Sequence, residues 1–259
     1  MIQIKNLKVW VGDKEILKWV SLNFEIWKNY CLLWKNGSWK STLSSFLMGH
    51  PKYEYISWEV KIKSPHSVSP KGREEATEYV NLLDLNPEER SKSGLFLSFQ
   101  NVPEIKGIKL SEYLRTIYNI NLKNTDIKEI SPFIFKRFIK KYLSELHIDE
   151  SFLDRELNVW FSWGEKRKIE ILQMKLIWPK YIILDEIDSG LDLDAFRTIA
   201  DMLKQLSNEN NTLIIITHYF KILEYVDVDK VYVMKDGLIV REWGDELVEE
   251  VKEKGFSGL

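Results

Sequence analysis

One cysteine, Cys31, stands in the whole chain of 259 residues. That excludes an internal disulfide and a cysteine-built metal cage, and it suits a reducing cytosol. No apolar run reaches the ~18 residues that a membrane span needs. The opening "MIQIKNLKVW" lacks the basic-then-apolar layout of a targeting signal. A cytoplasmic protein without direct membrane insertion is expected. Charge of one sign is missing too: 37 Lys and Arg face 39 Asp and Glu, for a net −2. Bulk electrostatics therefore gives no support for a nucleic-acid partner. Glycine is scarce, with 12 residues where ordinary usage of ~7% gives about 18. Tryptophan is abundant, at 10.

What is present is an ordinary globular composition, 44% hydrophobic and 29% charged, long enough for one large domain or a core with an inserted subdomain. "IQIKNLKVWV" and "VSLNFEI" alternate apolar and polar residues, as half-buried strands do. "YCLLW" (30–34) is a short continuous apolar run of the kind found in buried parallel strands. A helical run "STLSSFLMG" follows Lys40 and stops at Gly49 before Pro51. Residues 61–93 are polar and proline-punctuated, with a helix expected around Glu74–Leu83. In "SPFIFKRFIKKYLSELHI", Ser131 is the expected N-cap and Pro132 the first helical residue. Its apolar face is Phe135, Phe138, Ile139, Tyr142, Leu143 and Leu146, and its cationic face reads as solvated surface. A further helix is expected at Glu165–Ile177. "YIILDE" (181–186) and "LIIIT" (213–217) flank a helical stretch near Ala195–Leu206, which implies a parallel sheet with helical crossovers. Asp236-Gly237 is the two-residue turn of a terminal hairpin.

The chemistry gathers in five places. Strand 30–34 leads through Trp34, Lys35, Asn36, Gly37, Ser38 and Trp39 to Lys40, Ser41, Thr42 and a helix. Backbone amides in such a loop cradle phosphates, a lysine neutralises them, and a hydroxyl at 41 holds Mg²⁺. As a match to G-x-x-x-x-G-K-[ST] it is weak alone, because Trp fills both glycine slots. "YIILDE" then ends a buried strand in Asp185, suited to Mg²⁺, and Glu186, suited to polarising a water. Gln100 ends the apolar run "LFLSFQ" and suits the metal and γ-phosphate. "FSWGEKRK" opens a helix whose first amides suit an anion. His218 follows "LIIIT" and suits a γ-phosphate at neutral pH. Each piece has a plain structural explanation, as loop, cap or strand end; their order along one chain does not.

That order resembles the nucleotide-binding subunit of ATP-binding-cassette (ABC) proteins, and nearly the whole chain resembles the Suf-system ATPase (SufC-like) of iron–sulfur cluster assembly. The narrower resemblance rests on "GHPKYE" (49–54), "LNPEERSKSGLFLSFQNVPEIKGI" (85–108), "NVWFSWGEKRKIEILQM" (158–174), "LDEIDSGLDLDAF" (184–196) and "THY" (217–219). Residues 63–80 fit it poorly. The resemblance implies a P-loop NTPase fold: a mainly parallel α/β core (about 1–108 and 165–259), an N-terminal antiparallel part and a helical subdomain (about 109–164), together one domain over 1–259. It implies ATP and Mg²⁺ as cofactors, with Trp34–Thr42 as Walker A, Gln100 as the Q-loop residue, and Ser41, Gln100 and Asp185 at the metal. Ser162, Trp163, Gly164 and Glu165 become the signature reaching a partner's nucleotide, and Ser189–Asp192 the D-loop. Glu186 becomes the catalytic base and His218 the switch. An ATP-dependent homodimer contact and Suf scaffold partners (SufB/SufD-like) are expected. The alternatives are the ATPase subunit of a membrane transporter and a nucleotide-free adaptor.

The tryptophans conflict with that reading. Trp34, Trp39, Trp160 and Trp163 stand where the family has glycine, and Trp19, Trp58 and Trp243 look the same. Trp10, Trp27 and Trp178 are undecided by sequence. Glycine serves such loops because the backbone takes φ > 0 or approaches phosphates closely, so indoles at 34 and 39 are expected to impinge on the cradle. Three accounts compete. Some bacterial lineages decode UGA as glycine where a common alternative table writes tryptophan, which explains scattered replacements together with a Lys-, Ile- and Asn-rich composition. Deliberate engineering and a degenerate relative are the others. The decoding account fits best, because Lys40, Asp185, Glu186 and His218 all persist.

Overall fold

The computed structural model describes residues 1–34, 40–57, 59–63, 79–122, 128–207, 211–217 and 220–243. The chain begins with strands β1 (Ile2–Val11), β2 (Lys14–Phe24) and β3 (Tyr30–Trp34), then helix α1 (Lys40–Leu47). Short strands β4 (Glu54–Ile56), β5 (Glu59–Lys63) and β6 (Tyr79–Asn81) precede α2 (Pro87–Lys92) and β7 (Leu95–Ser98). β8 (Ile105–Lys109), α3 (Leu110–Leu122), α4 (Pro132–Glu145) and the two-residue β9 (Glu156–Leu157) form the middle section. α5 (Trp163–Ile177), β10 (Tyr181–Asp185), α6 (Leu193–Ser207), β11 (Thr212–Thr217), β12 (Lys230–Lys235) and β13 (Leu238–Trp243) complete the described chain.

The central sheet runs β13-β12-β3-β11-β10-β7. It is parallel except for the edge hairpin β12–β13. A second, antiparallel sheet runs β2-β1-β5-β6, with β4 also on β1. The expected α/β architecture with an antiparallel N-terminal part is therefore observed. The continuous apolar runs of β3, β10 and β11 follow from burial on both faces. Cys31, Leu33, Ile182, Leu184, Leu213 and Ile215 pack into a core with α3–α6. Their neighbours Tyr30, Leu32, Tyr181, Ile183, Ile214 and Ile216 pack toward α1 and the antiparallel sheet. Strand alternation sends successive side chains to opposite faces.

Local signals in the sequence are realised. Ser131 caps α4 with Pro132 at its first position, and Phe135, Ile139, Leu143 and Leu146 are buried while the lysines of that helix are exposed. Asp236 and Gly237 both take positive φ in the β12–β13 turn. Gly237 also touches the other sheet: Lys18 donates its amide to Gly237 O at 2.8 Å, and a Cβ on Gly237 would lie 2.3 Å from Ile16 O. The helix expected around Glu74–Leu83 is corrected over its described part. Tyr79–Asn81 is a strand paired with β5, followed by a 3-10 turn at Leu82–Asp84. Cross-strand pairing outweighs local helix propensity there.

Four tryptophans adopt a backbone that L-residues avoid. Trp19, Trp27, Trp160 and Trp178 have φ of 54°, 64°, 60° and 45°. The other non-glycine residues with positive φ among the described residues are Asn, Asp, His and Glu186; Asn, Asp and His are the types that enter this region most readily. The same four indoles are largely exposed, at 53%, 68%, 87% and 59%, so no core packing holds them. Trp178 is the left-handed cap of α5, a position that favours glycine. The backbone thus matches glycine at Trp19 and Trp160, as the sequence suggested, and at Trp27 and Trp178, which the sequence left undecided. Trp10 is different: it lies within β1, half-buried.

Candidate functional site

The carboxyl edge of a parallel sheet is where open α/β folds bind ligands, and the predicted residues collect there. Trp34 ends β3, Lys40 opens α1, Asp185 ends β10, and Gln100 follows the end of β7. Ser41 and Thr42 lie in the first turn of α1, where free backbone amides and the helix dipole favour an anion. Asp185 is buried and accepts a hydrogen bond from Ser44 Oγ at 2.8 Å. That bond fixes the carboxylate against α1, so a helix-borne hydroxyl and a strand-borne carboxylate sit side by side. Hydroxyl and carboxylate oxygens are the donors that Mg²⁺ takes alongside phosphate, so the residues present fit a magnesium nucleotide.

Glu186 is buried, has φ 48°, and receives a hydrogen bond from Gln100 Nε2. Its amide donates to Ile216 O at 2.9 Å, and its carbonyl accepts from the Ser189 amide at 3.0 Å. A glutamate in left-handed backbone costs roughly 1–3 kcal/mol and persists only where its surroundings hold it. Here β11 and the turn after β10 hold it, and Gln100 restrains its carboxylate. Gln100, expected at the metal, directs its amide onto Glu186.

The signature residues begin α5. Ser162 Oγ accepts from the Glu165 amide, and the Glu165 carboxylate accepts from the Ser162 amide, a reciprocal capping box. Trp163 is 43% exposed. Its ring lies against the D-loop, 3.8 Å from where a Cβ on Gly190 would stand. Asp192 Oδ1 accepts from the Ala195 amide at 2.8 Å and so caps α6. The structure therefore brings Trp163 of the expected signature and Gly190 of the expected D-loop together within the chain. Lys35, Asn36, Gly37, Ser38, Trp39, Trp58 and His218 lie outside the described residues, as does the expected intrusion of indoles on the cradle.

Two residues that sequence reasoning missed support this arrangement. Ser44 is one, a hydroxyl on the sheet-facing side of α1. The other is Arg167, fully buried in α5. It donates to Ser98 Oγ at 3.1 Å, Phe99 O at 2.7 Å, Gln100 O at 3.1 Å and Glu170 Oε2 at 2.6 Å. Burial pushes the Glu170 carboxyl up, and Arg167 and Ser98 pull it back. The sole sequence signal was a pair of charges at i,i+3, with Arg167 inside the charged run "EKRK", which reads equally well as solvated surface.

The ABC transporter family profile matches residues 17–189. A probable ATP-dependent transporter, ycf16, of Cyanophora paradoxa is 40% identical over all of this chain and 94% of its own length. The iron–sulfur cluster assembly protein SufC of Plasmodium berghei is 35% identical over 95% of this chain and 63% of its own. Among solved structures, the ATP-binding cassette MJ0796, in a dimer bound to ADP and Pi, has a TM-score of 0.70 at 20% identity, covering 94% of this chain and 98% of that one. The ATP-binding subunit of an ABC transporter has a TM-score of 0.72 at 19% identity, covering 100% and 95%. These structures share the fold. With five ordered motifs, an α/β core that gathers three of them at one sheet edge, and relatives matched over the full chain, this protein belongs to the ABC transporter family of ATPases, with SufC-like relatives.

Proposed function

We propose that this chain is the ATP-binding and hydrolysing subunit of a Suf-type iron–sulfur cluster assembly machine, a single ATPase domain over 1–259 that dimerises on ATP and drives a scaffold. Lys40, Ser41, Thr42 and the loop amides of 34–39 bind the phosphates, with Ser41, Gln100 and Asp185 at Mg²⁺. The metal supplies charge neutralisation on the phosphates. Glu186 orients and deprotonates the attacking water, Gln100 holds that carboxylate in place, and His218 steadies the γ-phosphate. Ser162–Glu165 face the nucleotide of the second subunit, and SufB/SufD-like proteins are the scaffold. The carrying observation is the buried Ser44–Asp185 pair and the partly buried Gln100–Glu186 pair on one sheet edge; the similarity to SufC supports the cluster-assembly role.

The testing experiment replaces Glu186 with Gln in a chain carrying glycine at 34, 39 and 163. Retained nucleotide with lost turnover, and a dimer on ATP by light scattering, is the expected result. Hydrolysis at the unaltered rate would remove Glu186 from its role. The name of the ycf16 relative favours a second reading, the ATPase subunit of a transporter. Co-purification separates the two: soluble scaffold proteins support the first, a multi-span permease the second. If the tryptophans at 34, 39 and 163 are real and no nucleotide binds, the adaptor reading follows.

A further inference from the structure

Two of the stretches that carry the narrower resemblance, 49–54 and 85–108, meet in one contact behind the nucleotide site. Arg90 comes from α2, a helix fixed by the Asn86/Glu89 capping box with Pro87 at its start. Its side chain is buried. Nε donates to Leu85 O at 2.9 Å, and Nη1 to Phe46 O at 2.8 Å and Leu47 O at 3.0 Å. Phe46 and Leu47 are the last residues of α1, the helix whose first turn carries Lys40, Ser41 and Thr42. The final carbonyls of a helix lack intrahelical partners and gather negative partial charge, so a guanidinium there answers both needs. Among the described residues no carboxylate pairs with Arg90; its charge is met by carbonyls.

Gly49 completes the arrangement. It has φ +80°, and a Cβ there would stand 3.0 Å from Arg90 Cζ and Nε. A side chain at 49 would therefore press on the guanidinium, which would have to give by a few tenths of an ångström. α1 has eight residues, so it is about 12 Å long at 1.5 Å per residue. A helix that short moves as one body, and whatever fixes its last turn fixes its first. Ser44 ties its middle to Asp185. The segment after Arg90 runs on through β7 to Gln100, so one stretch of chain sets both the helix and the glutamine facing Glu186.

We propose that Arg90 is a positioning residue for the nucleotide site, clamping from behind the helix whose N-terminus receives the phosphates. This rests on the nucleotide-site reading above. The test is made in the chain carrying glycine at 34, 39 and 163, and compares Arg90→Met and Arg90→Lys with that parent. Ile139→Ala serves as a control that deletes core atoms in the helical section away from α1. Two quantities are read: hydrogen exchange of the Ser44–Met48 amides without nucleotide, and equilibrium binding of Mg-ATP well below each melting temperature.

Arg90→Met is expected to speed exchange in α1 at least about tenfold and to weaken Mg-ATP binding by roughly ten- to a hundredfold, the scale set by ångström misplacement of a site. Arg90→Lys is expected to recover part of both, and Ile139→Ala to alter neither while lowering the melting temperature. Unchanged exchange in both Arg90 variants overturns the clamp. Faster exchange with unchanged affinity overturns the positioning role, as does an equal loss of affinity in Ile139→Ala. Failure of that parent chain to bind Mg-ATP overturns the nucleotide-site reading and the positioning role with it, while the exchange rates still decide the clamp.

Discussion

Replacing Trp160, Trp27 and Trp178 with glycine is expected to stabilise the protein, against the usual outcome of deleting a large aromatic. A left-handed backbone costs an L-residue roughly 1–2 kcal/mol. Glycine returns about 0.5–1 kcal/mol of that through its greater freedom in the unfolded chain. Trp160 is 87% exposed, so its ring forfeits little contact and the net gain is about 0.5–1 kcal/mol. The backbone bonds at these sites survive the change: Trp27 N donates to Thr212 Oγ1 at 2.8 Å, and Trp160 O accepts from Arg155 at 3.0 Å. Trp160 and Trp178 flank opposite ends of α5, far enough apart to add. The triple variant should gain roughly 2 kcal/mol, a rise of about 4–8 °C in melting temperature for a chain this size. Trp19→Gly should be near neutral, because Lys8 Nζ lies 3.8 Å from its ring centroid and that contact is worth about 0.5–1 kcal/mol. Trp10→Gly in β1 is the counter-case and should destabilise by roughly 2 kcal/mol, through lost packing and glycine in a strand. Circular-dichroism melting with urea titration reads all of these. If Trp160→Gly lowers the midpoint as far as Trp10→Gly does, left-handed strain is not what distinguishes these tryptophans. Mass spectrometry of peptides spanning 39, 160 and 178 from the native source tests the decoding account directly, with glycine mass expected at each.

Arg167→Met should cost about 3–5 kcal/mol in urea unfolding, because it strands the buried Glu170 carboxylate without its partner, and the same variant should lose turnover as the backbone at Gln100 loosens. Gly237→Ala should cost about 2 kcal/mol or more, since its Cβ would stand 2.3 Å from Ile16 O at φ +80°; a melting curve matching the unaltered chain would show the hairpin free to move away from β2. Cys31 is buried and its thiol is pushed up by burial, so iodoacetamide should label it only as fast as the protein unfolds globally; rapid labelling of the folded protein would place β3 outside the core.

The sequence by itself determined the class of fold and most of the chemistry. Apolar runs at 30–34, 181–185 and 213–217 read as strands buried on both faces, and the polar residues at or after their ends marked one edge of a sheet. Capping at Ser131 and the Asp236-Gly237 turn were legible for the same reason, since each is a local contest that nearby residues settle. Tertiary structure decided what rests on contacts between distant segments. Tyr79–Asn81 became a strand because β5 offered it a partner. Ser44, Arg167 and Arg90 carry no local signature: a serine and two arginines on helices read as surface until the fold sets them against Asp185, Gln100 and the end of α1. Trp27 and Trp178 were undecided for a related reason. Whether a side chain belongs at a position depends on the sign of φ there, and the surrounding fold sets that sign when it turns the chain.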